Sequence, residues 1–133
     1  MTDTLPTRGE IERNLSQSIQ AFYRNQLSCR VGKISCHLLG NKLAIAIENS
    51  ITSLEKLLNN SDDNQFSIDL RSRIDLIVKN ELVDEIGNIL GVDVIDLTID
   101  TTLEHNFTGV MVLLAEQPQL RQNTYSRKSP SLS

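Results

Sequence analysis

Apolar residues recur along this chain with two spacings, first a helical one and then a strand-like one. Ile11, Leu15 and Ile19 lie one turn apart, which predicts a helix over about residues 8–26. From Val31 the apolar period changes to two and continues past a turn at 40–42. The first part of the chain is therefore expected to be a helix followed by a β-hairpin.

The same succession returns in the second half. Helical spacing predicts a long helix from about residue 68, ending at Gly91, with Ile74, Ile77 and Val78 among its buried residues and Arg71 facing water. Two strands then follow, the last ending near residue 116. Between the halves, Ser50 is predicted to cap a short helix with Ile51, Leu54, Leu57 and Leu58 as its apolar stripe, and residues 61–65 are predicted to form a loop.

These patterns predict an α+β fold. Two helix-hairpin (αββ) units would form one four-stranded, mostly antiparallel sheet with the helices packed on one face, because neither unit can bury its apolar side alone. Residues 8–117 are expected to be a single domain. The flanking residues 1–7 and 118–133 are predicted to be disordered, since the polar end of the chain offers little to bury.

Composition narrows the class of protein. The chain has 133 residues, of which 39% are hydrophobic, and its formal net charge of -4 disfavours nucleic acid as a partner. The longest apolar run, residues 110–115, is far below the ~20 residues that a membrane-spanning helix needs, so no direct membrane insertion is expected. The first six residues show no secretion signal, which predicts a cytoplasmic location.

The last predicted strand is apolar on both sides. Such a surface predicts either cover by the C-terminal tail or a loop, or a subunit interface, and a homodimer is the favoured oligomer. The predicted interface consists of Ala44, Ala46, Val110, Met111, Val112, Leu113 and Leu114.

Candidate metal ligands and catalytic groups are isolated in the sequence. Cys36 and His37 are neighbours on a predicted strand, where adjacent side chains point to opposite faces, so they are not expected to share an ion. Cys29 and Cys36 are read as ordinary thiols, with redox sensing or metal binding as the alternative. His105 is a turn residue.

An acidic line on the third strand is the remaining candidate. Asp96, Thr98 and Asp100 share one face, which fits a solvated strand or, alternatively, a site for Ca²⁺ or Mg²⁺. The sequence assigns no catalytic residue, no cofactor and no metal ligand, and it predicts that the protein is not an enzyme.

The segment Ile51-Thr52-Ser53-Leu54-Glu55-Lys56-Leu57 is similar to a Leu-Thr-x-x-Glu-x-x-Leu motif of the MpsC-like family, a small bacterial domain of unknown function. Val31, the turn at 40–41 and the passage 89–94 support the resemblance, which covers about residues 9–117. The chain departs from the family at 27–30, where the family tends to carry a glycine-rich loop. Thr52 and Glu55 match the motif and also suit a helix start.

The resemblance implies a soluble, non-enzymatic accessory or regulatory protein of a membrane transport system for cation or inorganic-carbon uptake. It would act by protein–protein interaction, with a membrane transporter as partner. The alternative is a small-molecule or ion-sensing domain, and a small enzyme is the third class.

Overall fold

The computed structural model describes residues 5–59 and 64–121 of the chain. Its elements, in chain order, are α1 (Arg8–Gln26), β1 (Ile34–Leu39), β2 (Lys42–Glu48), α2 (Ser53–Asn59), α3 (Asn64–Leu90), β3 (Val94–Thr102) and β4 (Phe107–Leu114). The sequence predicted this order of helices and strands.

The strands form one four-stranded sheet in the order β1-β2-β4-β3, and every neighbouring pair is antiparallel. Each hairpin therefore keeps its own two strands together, and the hairpins join through β2 and β4. Ala44 lies opposite Met111 in this central pair, and Ala46 lies opposite Gly109. The predicted α+β class with a four-stranded antiparallel sheet is confirmed.

Local signals in the sequence explain where the elements begin and end. The Thr7 side chain accepts a hydrogen bond from the Glu10 amide, and Glu10 accepts one from the Thr7 amide, so a complete capping box starts α1. Gly91 has a φ of 70°, the left-handed conformation that the end of α3 requires and that glycine adopts without strain.

The core lies between one face of the sheet and the helices α1 and α3. Buried core residues from the sheet include Leu43, Ile45, Ile47, Val110 and Val112, and those from the helices include Ile11, Leu15, Ile19, Val78, Leu82 and Ile86. Strand side chains alternate between faces, so the other side of the sheet carries a different set.

We call that other side the open sheet face, because among the described residues none of its side chains is buried. It consists of Ser35, His37, Leu39, Lys42, Ala44, Ala46, Glu48, Asp96, Thr98, Asp100, Thr102, Phe107, Gly109, Met111 and Leu113. The sheet is thus packed on one side and accessible on the other.

The short helix differs from its prediction. It begins at Ser53, and Thr52 rather than Ser50 makes the capping hydrogen bonds. Leu54 and Leu57, predicted to be buried, are exposed, while Glu55 is buried. The prediction failed because it assumed that the apolar stripe must face the core.

The long helix starts earlier than predicted. Asn64 and Gln65, which were assigned to a loop, belong to α3, and residues 61–63 of that loop lie outside the described part of the chain. Ile77, predicted to be buried, is exposed.

Some residues outside the range 8–117 also make contacts in the structure. The Arg121 amide donates to the Pro6 carbonyl oxygen over 2.8 Å, Pro118 is buried, and Leu120 packs against the core. The rest of the two predicted tails, residues 1–4 and 122–133, lies outside the described residues.

Candidate functional site

A buried arginine forms the centre of the most polar region inside the domain. Arg71 of α3 is only 5% exposed and Glu55 of α2 only 1% exposed, although the sequence predicted that Arg71 faces water. Burying a charge is costly unless a partner neutralises it, so these two residues require each other. We call the set Ser50, Thr52, Glu55, Arg71, Asp75, Thr101 and Thr108 the Arg71 cluster.

Arg71 engages its neighbours through its whole guanidinium group. Its Nε donates to Glu55 Oε2 and its Nη2 to Glu55 Oε1, both over 2.6 Å. Its Nη1 donates to Asp75 Oδ1 over 2.9 Å, and Nη2 also donates to the Ser50 carbonyl oxygen over 3.2 Å. This two-pronged pairing with Glu55 is the geometry that arginine favours with a carboxylate, and it ties α2 to α3.

Glu55 has a second task at the start of α2. Its Oε1 accepts hydrogen bonds from the amide and the hydroxyl of Thr52, both over 2.9 Å, and the Glu55 amide donates back to the Thr52 hydroxyl over 3.3 Å. One carboxylate therefore both caps the helix and binds the arginine. The motif residues Thr52 and Glu55 are structural partners of Arg71.

Three hydroxyl groups extend the cluster toward the sheet. The Thr101 hydroxyl donates to Asp75 Oδ1 over 3.0 Å, and the Thr108 hydroxyl oxygen lies 2.7 Å from that of Thr101 and 2.6 Å from that of Ser50. Each hydroxyl has a single proton to donate. Because Thr101 donates its proton to Asp75, Thr108 donates to Thr101 and Ser50 donates to Thr108. The first hairpin, the second hairpin and α3 meet in this chain of hydrogen bonds.

Arg71 is the one cation of the cluster and pairs with two carboxylates, those of Glu55 and Asp75. Burial by itself would lower the pKa of Arg71, but its hydrogen bonds to Glu55 and Asp75 outweigh burial and raise that pKa. Arg71 therefore remains a fixed cation between two carboxylates. This arrangement suits a structural clamp rather than a group that exchanges protons.

Tyr23 borders the cluster with a hydroxyl that has no hydrogen-bond partner among the described residues. Its ring is fully buried, and its hydroxyl lies near Thr108, Arg71 and Asp75. Burial raises the pKa of Tyr23 above its ordinary value of 10.0.

This raised pKa makes stability depend on alkaline pH. Above about pH 10 the unfolded chain releases the tyrosine proton while the folded chain keeps it, so the free energy of unfolding should fall by up to about 1.4 kcal/mol per pH unit. Tyr23→Phe should remove this contribution, and near neutral pH it should change stability by less than about 1 kcal/mol, because the lost hydroxyl has no partner. Urea unfolding of both proteins at neutral pH and above about pH 10 measures the difference. Equal alkaline slopes would contradict the prediction.

The residues predicted to form an interface divide between the two sides of the sheet. Val110, Val112 and Leu114 are buried against the helices, so within the protomer they are core residues, contrary to their prediction as interface. Ala44, Ala46, Met111 and Leu113 lie on the open sheet face, and their role as an interface stays a prediction.

The acidic line on β3 has a local structural role. Asp96 accepts a hydrogen bond from the Leu97 amide over 2.8 Å, and Asp100 accepts one from the Thr101 amide over 3.1 Å. Within residues 5–59 and 64–121, no group of three or more His, Cys, Asp or Glu side chains is arranged to hold a metal ion.

The cysteines are buried, whereas the histidines are exposed. Cys29 and Cys36 are free thiols in the core, and burial raises the pKa of each. Cys29 Sγ donates to the carbonyl oxygens of Asn49 and Ile51 at 3.7 and 3.8 Å. His37 is exposed on β1 and His105 is exposed in the turn between β3 and β4.

Two surface cavities formed by described residues lie away from the Arg71 cluster. A groove of about 1100 Å³ lies between the end of α3 and the start of β3, where Asp84, Asn88 and Asp93 line it. A smaller depression of about 210 Å³ lies on the open sheet face beside Met111 and Asp96.

Sequence reasoning found only part of this site. Thr52 and Glu55 were visible as a motif, whereas Arg71, Asp75, Ser50, Thr101 and Thr108 were missed. A signal for Arg71 was present, because Arg71, Ile74 and Val78 fall on one helical stripe. An arginine on an apolar stripe indicates a buried ion pair.

The fold and the cluster define a small α+β domain whose short second helix is held by a buried arginine–glutamate pair. The chain belongs to the family described as Na+-translocating membrane potential-generating system (MpsC), whose model matches residues 7–116. The resemblance drawn from the sequence is thereby confirmed. A search of curated proteins found no match, and neither did a search of solved structures. In the described part of the chain, no helix has the length and apolar character required to cross a bilayer.

Proposed function

We propose that this protein is a non-enzymatic accessory or regulatory component of a Na+-translocating membrane potential-generating system. It would act from the cytoplasm, by binding another protein of that system. Membership of the family supports the link to the membrane system. Two features of the structure support binding rather than catalysis: the buried pair of Arg71 and Glu55, and the exposed leucines Leu54 and Leu57 of α2.

The Arg71 cluster supports a role without catalysis. Catalytic groups need an accessible surface and a charge that changes during reaction. Here the charged side chains of Glu55 and Arg71 are buried and engage each other, and neither lines the grooves described above. The cluster is best explained as the support on which α2 rests.

The observation that carries the proposal is the inverted polarity of α2. Glu55 points inward, whereas Leu54 is 55% exposed and Leu57 is 68% exposed. A short surface helix ordinarily buries its leucines and exposes its glutamate. In this protein the pair of Arg71 and Glu55 holds α2 in the opposite orientation, so that Leu54 and Leu57 are available to a partner. Clustered exposed apolar groups commonly mark interaction sites.

Replacing one of these leucines should remove partner binding without unfolding the domain. We expect Leu57→Asp to reduce capture of the membrane component at least about tenfold, because a buried carboxylate without a partner is strongly unfavourable in an interface. Leu76→Asp is the matched control, since Leu76 is an exposed leucine on α3 that is 58% accessible. Capture from detergent-solubilised native membranes, followed by identification of the bound protein, measures the effect.

A cellular measurement completes this test. Cells lacking the protein should show a lower Na+-dependent membrane potential, which the wild type and Leu76→Asp restore and Leu57→Asp does not. Normal potential in its absence, or equal capture by both variants, would overturn the proposed function. Self-association as a homodimer, expected from the sequence, belongs to the same proposal but uses a different surface.

A further inference from the structure

The open sheet face has a complementary distribution of large and small side chains. Its β4 column carries Phe107, Met111 and Leu113, whereas the adjacent β2 column carries Ala44 and Ala46 at its centre and Lys42 and Glu48 at its ends. Two sheets that pack face to face interdigitate their side chains, which requires large groups on one to meet small groups on the other. This face offers both kinds of column side by side.

Charge on the same face is also divided. Lys33 precedes β1 opposite Glu48 and continues the alternation of Ser35 and His37 onto this face. Lys33 and Lys42 lie in one half, where Glu48 is the acidic residue, and Asp96 and Asp100 lie on β3 in the other half. The two halves thus carry opposite net charge. A surface of this kind is complementary to a copy of itself that has been turned over.

Side chains engage some of the outward-facing amides on both edge strands of the sheet. On β1, the Leu38 amide donates to Glu12 Oε2 of α1 over 3.0 Å. On β3, Asp96 and Asp100 accept the Leu97 and Thr101 amides, and β3 is further distorted between Val94 and Asp96. Occupied amides, charged side chains on an edge strand and bulges are devices that disfavour edge-to-edge association. Of the surfaces of the sheet, the open face is therefore the one available for self-association.

From these observations we infer that the open sheet face binds the open sheet face of a second copy, with a two-fold axis parallel to the strands. This operator places β4 over β2 of the second copy, so that Met111 meets Ala44 at the centre, while Leu113 and Phe107 meet the aliphatic parts of Lys42 and Glu48. It also places the basic half over the acidic half. A two-fold axis across the strands would instead stack β3 on β3 and bring like charges together. The inference concerns self-association only and does not depend on the membrane partner or on α2.

The size of the face predicts a weak dimer. Four strands spaced about 4.8 Å apart and about seven residues long cover about 450 Å² in projection, below the ~800 Å² per partner of a standard interface. The dimer should therefore be concentration-dependent, with a dissociation constant on the order of micromolar or weaker. Association needs to be followed over a wide concentration range.

The first experiment measures the oligomeric state of the full chain by sedimentation equilibrium from about 1 μM to about 500 μM. The mass of the wild type should rise toward that of a dimer, and Met111→Lys should weaken association at least tenfold while its thermal unfolding at low concentration is unchanged. Leu76→Lys is the matched control, because Leu76 and Met111 are similarly exposed, at 58% and 55%, on different sides of the domain. This control should dimerise like the wild type.

The second experiment tests the orientation by exchanging charges. The proposed axis brings position 33 of each copy near position 100 of the other. Lys33→Glu and Asp100→Lys should therefore each weaken dimerisation, because each variant by itself brings like charges together. An equimolar mixture should restore dimerisation to at least the wild-type level, because in a mixed dimer both contacts join opposite charges. Two folded single variants whose mixture shows no recovery would overturn the orientation. A wild type that remains monomeric at all concentrations would overturn the inference, and so would one whose residues 122–133 cover this face instead of a second copy. Unchanged dimerisation of Met111→Lys would overturn it as well. None of these outcomes bears on partner capture through Leu57.

Discussion

Replacing Arg71 with alanine is expected to lower the free energy of unfolding by about 3–5 kcal/mol, the largest effect predicted for a single polar side chain in this domain. The substitution leaves the Glu55 carboxylate buried at 1% exposure without its charged partner. It also removes the donors to Asp75 and to the Ser50 carbonyl oxygen. Since domains of this size are stable by only about 5–15 kcal/mol, the variant should be near its folding limit.

Arg73→Ala is the matched control for this prediction. Arg73 has the same side chain on the same helix, two residues further on, and is exposed, so its loss should change stability by less than about 0.5 kcal/mol. Urea unfolding followed by circular dichroism measures both values. An Arg71→Ala variant as stable as Arg73→Ala would show that the cluster does not support the fold.

A double replacement tests whether Arg71 and Glu55 stabilise the domain as a pair or independently of each other. Glu55→Leu with Arg71→Met removes the two most deeply buried charges together and should be less destabilising than Arg71→Ala alone. The Asp75 carboxylate also loses its arginine, but it is 18% exposed and still accepts a hydrogen bond from the Thr101 hydroxyl. If the double variant were as unstable as the sum of the single replacements, the two residues would be acting independently.

Leu114→Ala is expected to cost about 2–5 kcal/mol, the second large effect, because its side chain is only 1% exposed and packs in the core. Removing a buried leucine loses its transfer free energy and leaves a cavity that the surrounding side chains fill only in part. Thermal or urea unfolding at low protein concentration measures the loss.

The adjacent residue supplies the control. Leu113 is 39% exposed on the opposite side of the same strand, so Leu113→Ala should cost less than about 1 kcal/mol in the monomer. Equal losses at the two positions would mean that both faces of β4 are packed within one protomer. A cost at Leu113 that appears only at high protein concentration would instead reflect its place in a dimer.

Patterns local in the sequence predicted the order of elements well. Ile11, Leu15 and Ile19 all lie in the core, and the alternation along β2 buries Leu43, Ile45 and Ile47. The reason is geometric, since helices and strands have fixed periods and a repeated apolar position must share a face. Glycine at the end of α3 and the capping box of α1 succeed for the same reason, because each acts within one turn of its helix.

The candidate site was less visible because it depends on residues far apart in the chain. Arg71 and Glu55 are 16 residues apart, and Ser50 and Thr108 are 58 residues apart. Hydrophobicity describes a residue by itself and assigns arginine to water, whereas burial of arginine becomes favourable only when a carboxylate is brought to it. The same limitation assigned Leu54 and Leu57 of α2 to the buried side and placed Val110, Val112 and Leu114 in an interface.

The sequence by itself determined the elements and their order, because these follow from short-range spacing of apolar residues and from local capping groups. It also carried the motif around Thr52 and Glu55 on which the resemblance to the family rests. Only the tertiary structure decided which side of β4 is core, which side of α2 faces outward and which polar groups meet. Those outcomes depend on pairing energies between distant residues: the buried guanidinium of Arg71 fixes the side of α2 that carries Glu55, and the leucines are left for the surface.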